Sequence, residues 1–240
     1  MSAKNFLPIL YYLKSARVCI KEALAFRAQI QPNDLQKMEI FYSQYIINMF
    51  SALDYYLDCV GASSDNSTRV CSYVDRDPNK AKNKISYLRE LRNMCFHRGV
   101  QICSSSHFVD GFPLIVAPEY AYNRHKKYTY KRWNRYLLGV FRDFDPAIRQ
   151  FLLVGIVSNF ELNQTKKPES LYREATRHIL ESSDIPFLVR LMASEAVEPE
   201  HCEQLSYHNR KSLISELKID LIEDSIMNNG VSEVINSAKI

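Results

Sequence analysis

The 240-residue sequence predicts a mainly α fold: an up-and-down helical bundle with a small β-hairpin insertion and extra C-terminal helices. Three observations predict it. Apolar residues recur at helical spacing over long stretches, most plainly at Met38, Tyr42, Tyr45, Ile46, Met49, Phe50, Leu53, Tyr56 and Leu57, which share one helix face. Six glycines and nine prolines are too few for a turn-dense all-β chain. Hydrophobic residues make up 46% and charged residues 24%, the balance of a chain that can bury a sizeable core.

The elements follow in order. Residues 6–30 read as a first helix with Pro8 near its start. A second begins near Leu35, with Asn33 as N-cap and Gln36 completing a capping box. The short link "QPND" between the two makes them an antiparallel hairpin. "GASSDNSTRVCSYVDRD" (61–77) is polar and turn-rich, hence a loop. Asp77-Pro78 opens a third helix, Ile85, Leu88, Leu91, Cys95 and Phe96 form its apolar side, and Gly99 stops it in the left-handed conformation.

"HFVDGFPLIVA" (107–117) predicts a hairpin turning at Asp110-Gly111, with Pro113 confining its second strand to an edge. Helices are expected at 131–143 and 146–163, the second opened by Asp145-Pro146, and then shorter ones at 169–182, 185–195, 199–206 and 210–228. This divides the chain into a bundle, 1–165, and a C-terminal helical accessory region, 166–240.

Several function classes lack their signatures. The longest apolar run, "FLLVGIV" (151–157), falls far short of the roughly 20 residues that span a membrane, and no signal peptide is visible, so a cytoplasmic protein with no membrane partner is expected. Cys19, Cys59, Cys71, Cys95, Cys103 and Cys202 form no C-x-x-C pair, which favours reduced thiols over a zinc site; neither metal nor cofactor is expected. Phosphate-cradling glycine motifs and the hydrolase elbow are absent. Charge is uneven: residues 1–135 carry 20 Lys and Arg against 11 Asp and Glu, and residues 136–240 carry 11 against 16. A basic first half suggests a polyanionic partner or a chain that packs against itself.

"ELRNMCFHRG" (90–99) holds the chemistry-bearing residues. Asn93 and His97 are four apart on the third helix and share a face, with Arg89 and Glu90 on the preceding turn, while the long Arg92 side chain can reach around the helix end. An imidazole titrates near neutral pH and can take or give a proton. A guanidinium beside it suits the charge of a phosphodiester in transition. Arg92-Asn93-x-x-x-His97 resembles the R-x4–6-H motif of the HEPN superfamily, in a similar setting of two long helices followed by a helix ending in the motif.

The resemblance covers roughly residues 5–160. It implies a helical bundle that forms a homodimer and brings two motif copies into one composite cleft for metal-independent RNA cleavage to a 2′,3′-cyclic phosphate. Arg92 would clamp the phosphate, Asn93 would orient it or the imidazole, and His97 would move the proton. Such proteins serve as toxins or antiviral, phage-defence effectors, kept quiet by an antitoxin or other regulatory partner protein. Gly99 stands where many of the toxins carry a Tyr, so regulation through modification of that Tyr is not implied here. Asp54 on the second helix either supports Arg92 or lies on a solvated stripe beside Asp58, and the stripe is the preferred reading; Glu90 is a second possible support. Arg173 and His178 repeat the spacing within the acidic part of the chain and are set aside as chance.

"YAYNRHKKYTYKRWNRY" (120–136) combines Arg124, Lys126, Lys127, Lys131, Arg132 and Arg135 with Tyr128, Tyr130 and Trp133 and contains no acid. Cations neutralise phosphates and aromatic faces stack unpaired bases, so these residues are the expected RNA-binding set; the alternative is a solvated basic loop whose aromatics anchor it to the core. The other expected reading of the chain is a non-catalytic HEPN-like module that binds RNA, nucleotide or a protein partner.

Overall fold

Helix α1, Leu7–Leu24, and helix α2, Pro32–Val60, form the expected antiparallel pair. Ile9, Leu13, Ala16, Ile20 and Ala23 recur at three- and four-residue steps and bury one side of α1 against α2. Each large aliphatic side chain so buried contributes about 1.5–3 kcal/mol. The computed structural model describes residues 7–26, 32–61, 64–99, 101–103, 105–163, 187–195 and 199–240, with short helical stretches at 172–173, 176–177 and 180–181. Helix α2 starts at Pro32, so Asn33 sits inside its first turn rather than capping it. Proline at the first helical position gives up an N–H that would have no intrahelical partner and supplies a helical φ.

The segment expected to be a loop holds helix α3, Ser64–Val74. Its serines and asparagine suggest turns, but Val70 and Val74, four apart, are buried, and the helix packs on α4, Pro78–Arg98, and on α5, Leu137–Asn163. Tertiary burial outweighs local propensity here. Helix α4 follows its sequence signals closely. The Asp77 carboxylate accepts from the Asn79 and Lys80 backbone N–H groups, Pro78 occupies the first turn, and Gly99 closes the helix at φ 60°, ψ 29°.

Strands β1, Ser106–Val109, and β2, Phe112–Ile115, make the expected hairpin, with Asp110 and Gly111 at φ 48° and 78° as a tight primed turn requires. A second two-stranded ladder, β3, Tyr120–Tyr122, with β4, Thr129–Lys131, replaces the start of the helix expected at 131. Exposed Thr129 and Lys131 flank the half-buried Tyr130, an alternation at period two, and the pairing with β3 decides between ribbon and helix.

No break occurs at Asp145-Pro146; α5 runs straight through, with Pro146 inside it. The Asp145 carboxylate does not cap a helix start. It is buried, accepting from the Tyr45 hydroxyl at 2.6 Å and pairing with Arg149 Nε at 2.6 Å. Pro146 forfeits one backbone bond and introduces a clash. Phe141, Phe144, Ile148, Phe151 and Leu152, buried on both sides of it, hold the helix together. Phe141 meets Tyr45 with ring centroids 5.0 Å apart, and Phe144 stacks on Phe50 at 5.4 Å, which fastens α5 to α2.

Gly155 lets Tyr56 of α2 pass over α5: a Cβ at this position would lie 1.9 Å from the Tyr56 hydroxyl. Gly155→Ala is expected to cost about 1–3 kcal/mol through forced repacking. Circular dichroism should register a melting point roughly 2–4 °C lower per kcal/mol for a chain of this size.

Helices α6, Phe187–Glu195, α7, Pro199–Leu217, α8, Leu221–Asn228, and α9, Ser232–Ser237, follow. Leu213, Leu217, Ile222, Ile226, Val231 and Ile235 join the same hydrophobic core as α1 and α5. The chain from Leu213 onward therefore closes the bundle. Asn134, fully buried, fixes its end by donating to the Ile235 carbonyl and accepting from the Tyr136 N–H, both at 2.9 Å. The fold is mainly helical with small antiparallel ribbons, and no described helix is long and apolar enough to cross a membrane.

Candidate active site

The last two turns of α4 carry the motif, and α2 supplies its support. Leu88, Leu91 and Met94 turn into the core, which leaves Arg89, Arg92 and Asn93 half-buried along the α2 side and Phe96 and His97 exposed at the end. Asp54 is not part of a solvated stripe. One of its carboxylate oxygens accepts from Arg89 Nη2 at 2.7 Å and the other from Arg92 Nη1 at 3.1 Å. Asp58, on the next turn of α2, is exposed. The two guanidinium groups lie over the buried Phe50 ring, 5.6 and 5.3 Å from its centroid. Arg89, which the sequence places on the turn before Asn93 but gives no role, shares the Asp54 carboxylate with Arg92. Its signal is the three-residue step to Arg92, which puts both on the side facing α2.

A chain of polar contacts runs from there to the helix end. Arg92 Nη2 approaches Asn93 Oδ1 at 3.4 Å, Asn93 Nδ2 approaches Glu90 Oε2 at 3.5 Å, and Arg98 Nη2 lies 3.3 Å from the same Glu90 oxygen. These are long contacts and individually weak. Arg98 is held more firmly by donating to the Tyr122 carbonyl at 2.7 Å, its guanidinium over the Tyr122 ring at 5.2 Å. Glu90 thus lies between Asn93 and Arg98. Among the described residues, Arg92 has two hydrogen bonds for the five N–H groups of its guanidinium, so donors remain for an anionic ligand.

His97 stands apart from this chain. Its ring meets Phe96 edge-on at 4.7 Å and has no hydrogen-bond partner among the described residues. An exposed imidazole can accept or donate a proton to a bound ligand, but among the described residues no hydrogen bond orients it. Among the described residues, no three His, Cys, Asp or Glu gather as metal ligands would. The second Arg–His spacing cannot be placed, because His178 lies outside the described residues.

The expected RNA-binding residues divide into two groups. Arg124, Lys126, Lys127, Tyr128 and Lys131 are exposed on the β3–β4 ribbon, whose β3 end is fastened to the motif helix through Arg98 and Tyr122. Lys126 sits over the Tyr122 ring at 5.4 Å and Lys127 over Tyr128 at 5.5 Å. Trp133 instead belongs to the scaffold: it packs edge-on against the buried Tyr87 and donates its indole N–H to Asp143 at 3.1 Å. Arg132 donates to the Ala117 carbonyl, and Tyr130 is half-buried. Arg135 is exposed but touches the His107 ring at 3.4 Å, after the ribbon has ended.

Comparison with protein-family models, curated proteins and solved structures gives no match for this chain. The functional reading rests on the residues themselves.

Proposed function

We propose that this chain is a metal-independent endoribonuclease of the HEPN type, with Arg92, Asn93 and His97 as its catalytic set and a composite cleft at a homodimer interface. The observation that carries the reading is the arrangement at the end of α4: an arginine fixed by a carboxylate from a second helix, and an exposed histidine on the next turn with no competing hydrogen bond among the described residues. In the reaction, the ribose 2′ oxygen attacks the adjacent phosphorus as its proton leaves. The P–O5′ bond then breaks and the departing oxygen takes up a proton, leaving a 2′,3′-cyclic phosphate and a 5′-hydroxyl. One imidazole cannot serve as base and acid in the same step, and a second protomer would bring the other. Arg92 would stabilise charge on the phosphoryl oxygens. The cytoplasmic setting and the role as a toxin or phage-defence effector restrained by a partner protein belong to the same proposal.

One observation favours the alternative, a non-catalytic module that binds RNA, nucleotide or protein. The Arg92 charge is already shared with Asp54. A labelled RNA pool incubated with the protein in EDTA separates the two readings. The nuclease cuts to cyclic phosphate ends and His97→Ala does not; equal cutting by both proteins removes His97 from the mechanism.

Binding has its own check. Lys126→Gln with Lys127→Gln is expected to weaken affinity for single-stranded RNA and to flatten the dependence of log K on log salt by about 1.4, since each phosphate neutralised on a single strand contributes about 0.7. An unchanged slope would take the ribbon out of the binding surface.

A further inference from the structure

The β3–β4 ribbon lies lengthwise along α4. Arg98 holds the Tyr122 carbonyl at the C-terminal end of the helix, and Asn83 Nδ2 donates to the Lys131 carbonyl at 3.2 Å near its N-terminal end. Asn83 itself lies fourteen residues of α-helix before His97, about 21 Å at 1.5 Å per residue. The chain leaving β4 is therefore well removed from His97. There a cavity of about 300 Å³ opens, lined by Arg132, Arg135 and Tyr136 on one side and by Ser237, Lys239 and Ile240 on the other. Its walls are tied together by backbone bonds: Arg135 N–H donates to the Ala238 carbonyl at 3.1 Å and Ile240 N–H to the Trp133 carbonyl at 3.1 Å.

The charges around this cavity are not balanced. Among the described residues, no carboxylate lies within ion-pair distance of Arg132 or Arg135. Arg132 spends one donor on the Ala117 carbonyl, while its buried Nε has no partner. Arg135 rests over the Tyr136 ring, 5.9 Å from its centroid, and beside His107, neither of which offsets its charge. Lys239 has only a long contact, 3.8 Å, to Asp143, whose other oxygen accepts from Trp133. Two guanidinium groups and an ammonium thus converge, an excess of positive charge over the partly committed Asp143 carboxylate and the α-carboxylate of Ile240. Planar guanidinium donors grip phosphate oxygens in pairs. A cavity at the lower end of the 300–1,000 Å³ range typical of ligand pockets suits a small ligand better than a chain.

We propose that this cavity is a binding site for a terminal phosphate group, carried by a free nucleotide or by the end of an RNA strand. It is separate from the His97 site and does not depend on the nuclease reading. Arg135 and Lys239 hold the phosphate from the open side and Arg132 from the floor, with Tyr136 and Ile240 offering apolar surface to what the phosphate carries.

The protein's single tryptophan, Trp133, follows Arg132 in the chain, accepts from the Ile240 N–H through its carbonyl and serves as reporter. Inorganic phosphate and pyrophosphate are titrated into the full chain while Trp133 emission and the phosphorus resonance of the ligand are followed. Saturable binding is expected, weakened at least tenfold in Arg135→Gln, weakened less in Arg135→Lys, and unaltered in His97→Ala. Circular dichroism checks that each variant is folded. No saturable binding of either anion, or binding that survives Arg135→Gln unchanged, overturns the proposal. Displacement of pyrophosphate by a 5′-phosphorylated trinucleotide and not by its 5′-hydroxyl counterpart identifies a strand end as the source. Displacement by uridine monophosphate and by neither trinucleotide identifies a free nucleotide.

Discussion

Asp145→Ala is expected to lower the stability of the fold by about 3–5 kcal/mol, the cost of removing one partner from a buried ion pair. Asp145 and Arg149 are 1% and 5% exposed, so water cannot replace what is lost. Among the described residues, the substitution would leave Arg149 with the Glu216 carbonyl, at 2.8 Å, as its hydrogen bond and the Glu216 charge as its remaining anionic neighbour, and the Tyr45 hydroxyl without the acceptor of its 2.6 Å bond. Burial pushes the Asp145 carboxyl above the usual carboxylate range, while Arg149 and the Tyr45 hydroxyl pull it back. The same burial lifts the Tyr45 phenol well above its ordinary value.

Against a total stability of about 5–15 kcal/mol, the variant would stand near the edge of unfolding. A melting point roughly 10 °C lower is expected, at about 2–4 °C per kcal/mol. Tyr45→Phe should cost only about 1–2 kcal/mol, because a single hydrogen bond is lost and the pair remains. The double variant Asp145→Leu with Arg149→Met tests the cause. If the damage comes from an orphaned charge, the double variant recovers most of the melting point. If it melts as low as Asp145→Ala, packing and not charge is what matters here.

This network also shows where local patterns mislead. Asp145-Pro146 has the composition of a helix start, yet the carboxylate points at Tyr45, one hundred positions earlier in the chain. No short-range rule sees a partner at that distance. Asp77-Pro78 is the same pair of residues, and there the sequence is right, because nothing in the core competes for the Asp77 side chain. The α1–α2 pair and the Asp110-Gly111 turn were legible for a related reason: periodicity and positive φ are properties of the local chain. Helix α3 and the β3–β4 ribbon were not legible, since burial against α4 and α5 decides the first and strand pairing the second. At the candidate site, the four-residue step from Asn93 to His97 was readable. What Asp54 does depends on where α2 crosses α4, and the place of Trp133 stayed open because an aromatic among cations looks alike whether it stacks a base or packs on Tyr87.

Asp54 and Arg92 provide the second large effect. Under the nuclease reading, Arg92→Gln removes the charge aimed at the phosphoryl oxygens, and RNA cleavage is expected to fall by about 10²–10³, the range for loss of one donor to a developing charge. Fold stability should barely move. The Arg92–Asp54 contact is partly exposed, and pairs of that kind contribute about 0–1 kcal/mol. Asp54→Asn tests the same geometry from the other side. It keeps the shape and an acceptor but lifts the carboxylate's hold on both Arg89 and Arg92. If Asp54 positions Arg92, cleavage falls in Asp54→Asn, and the double variant Asp54→Asn with Arg92→Gln is no slower than Arg92→Gln alone, because two members of one unit do not add. If Asp54 instead withholds charge from the substrate, Asp54→Asn cleaves faster or binds RNA more tightly than the parent. Single-turnover cleavage with saturating protein separates the two, since it reads the chemical step apart from binding.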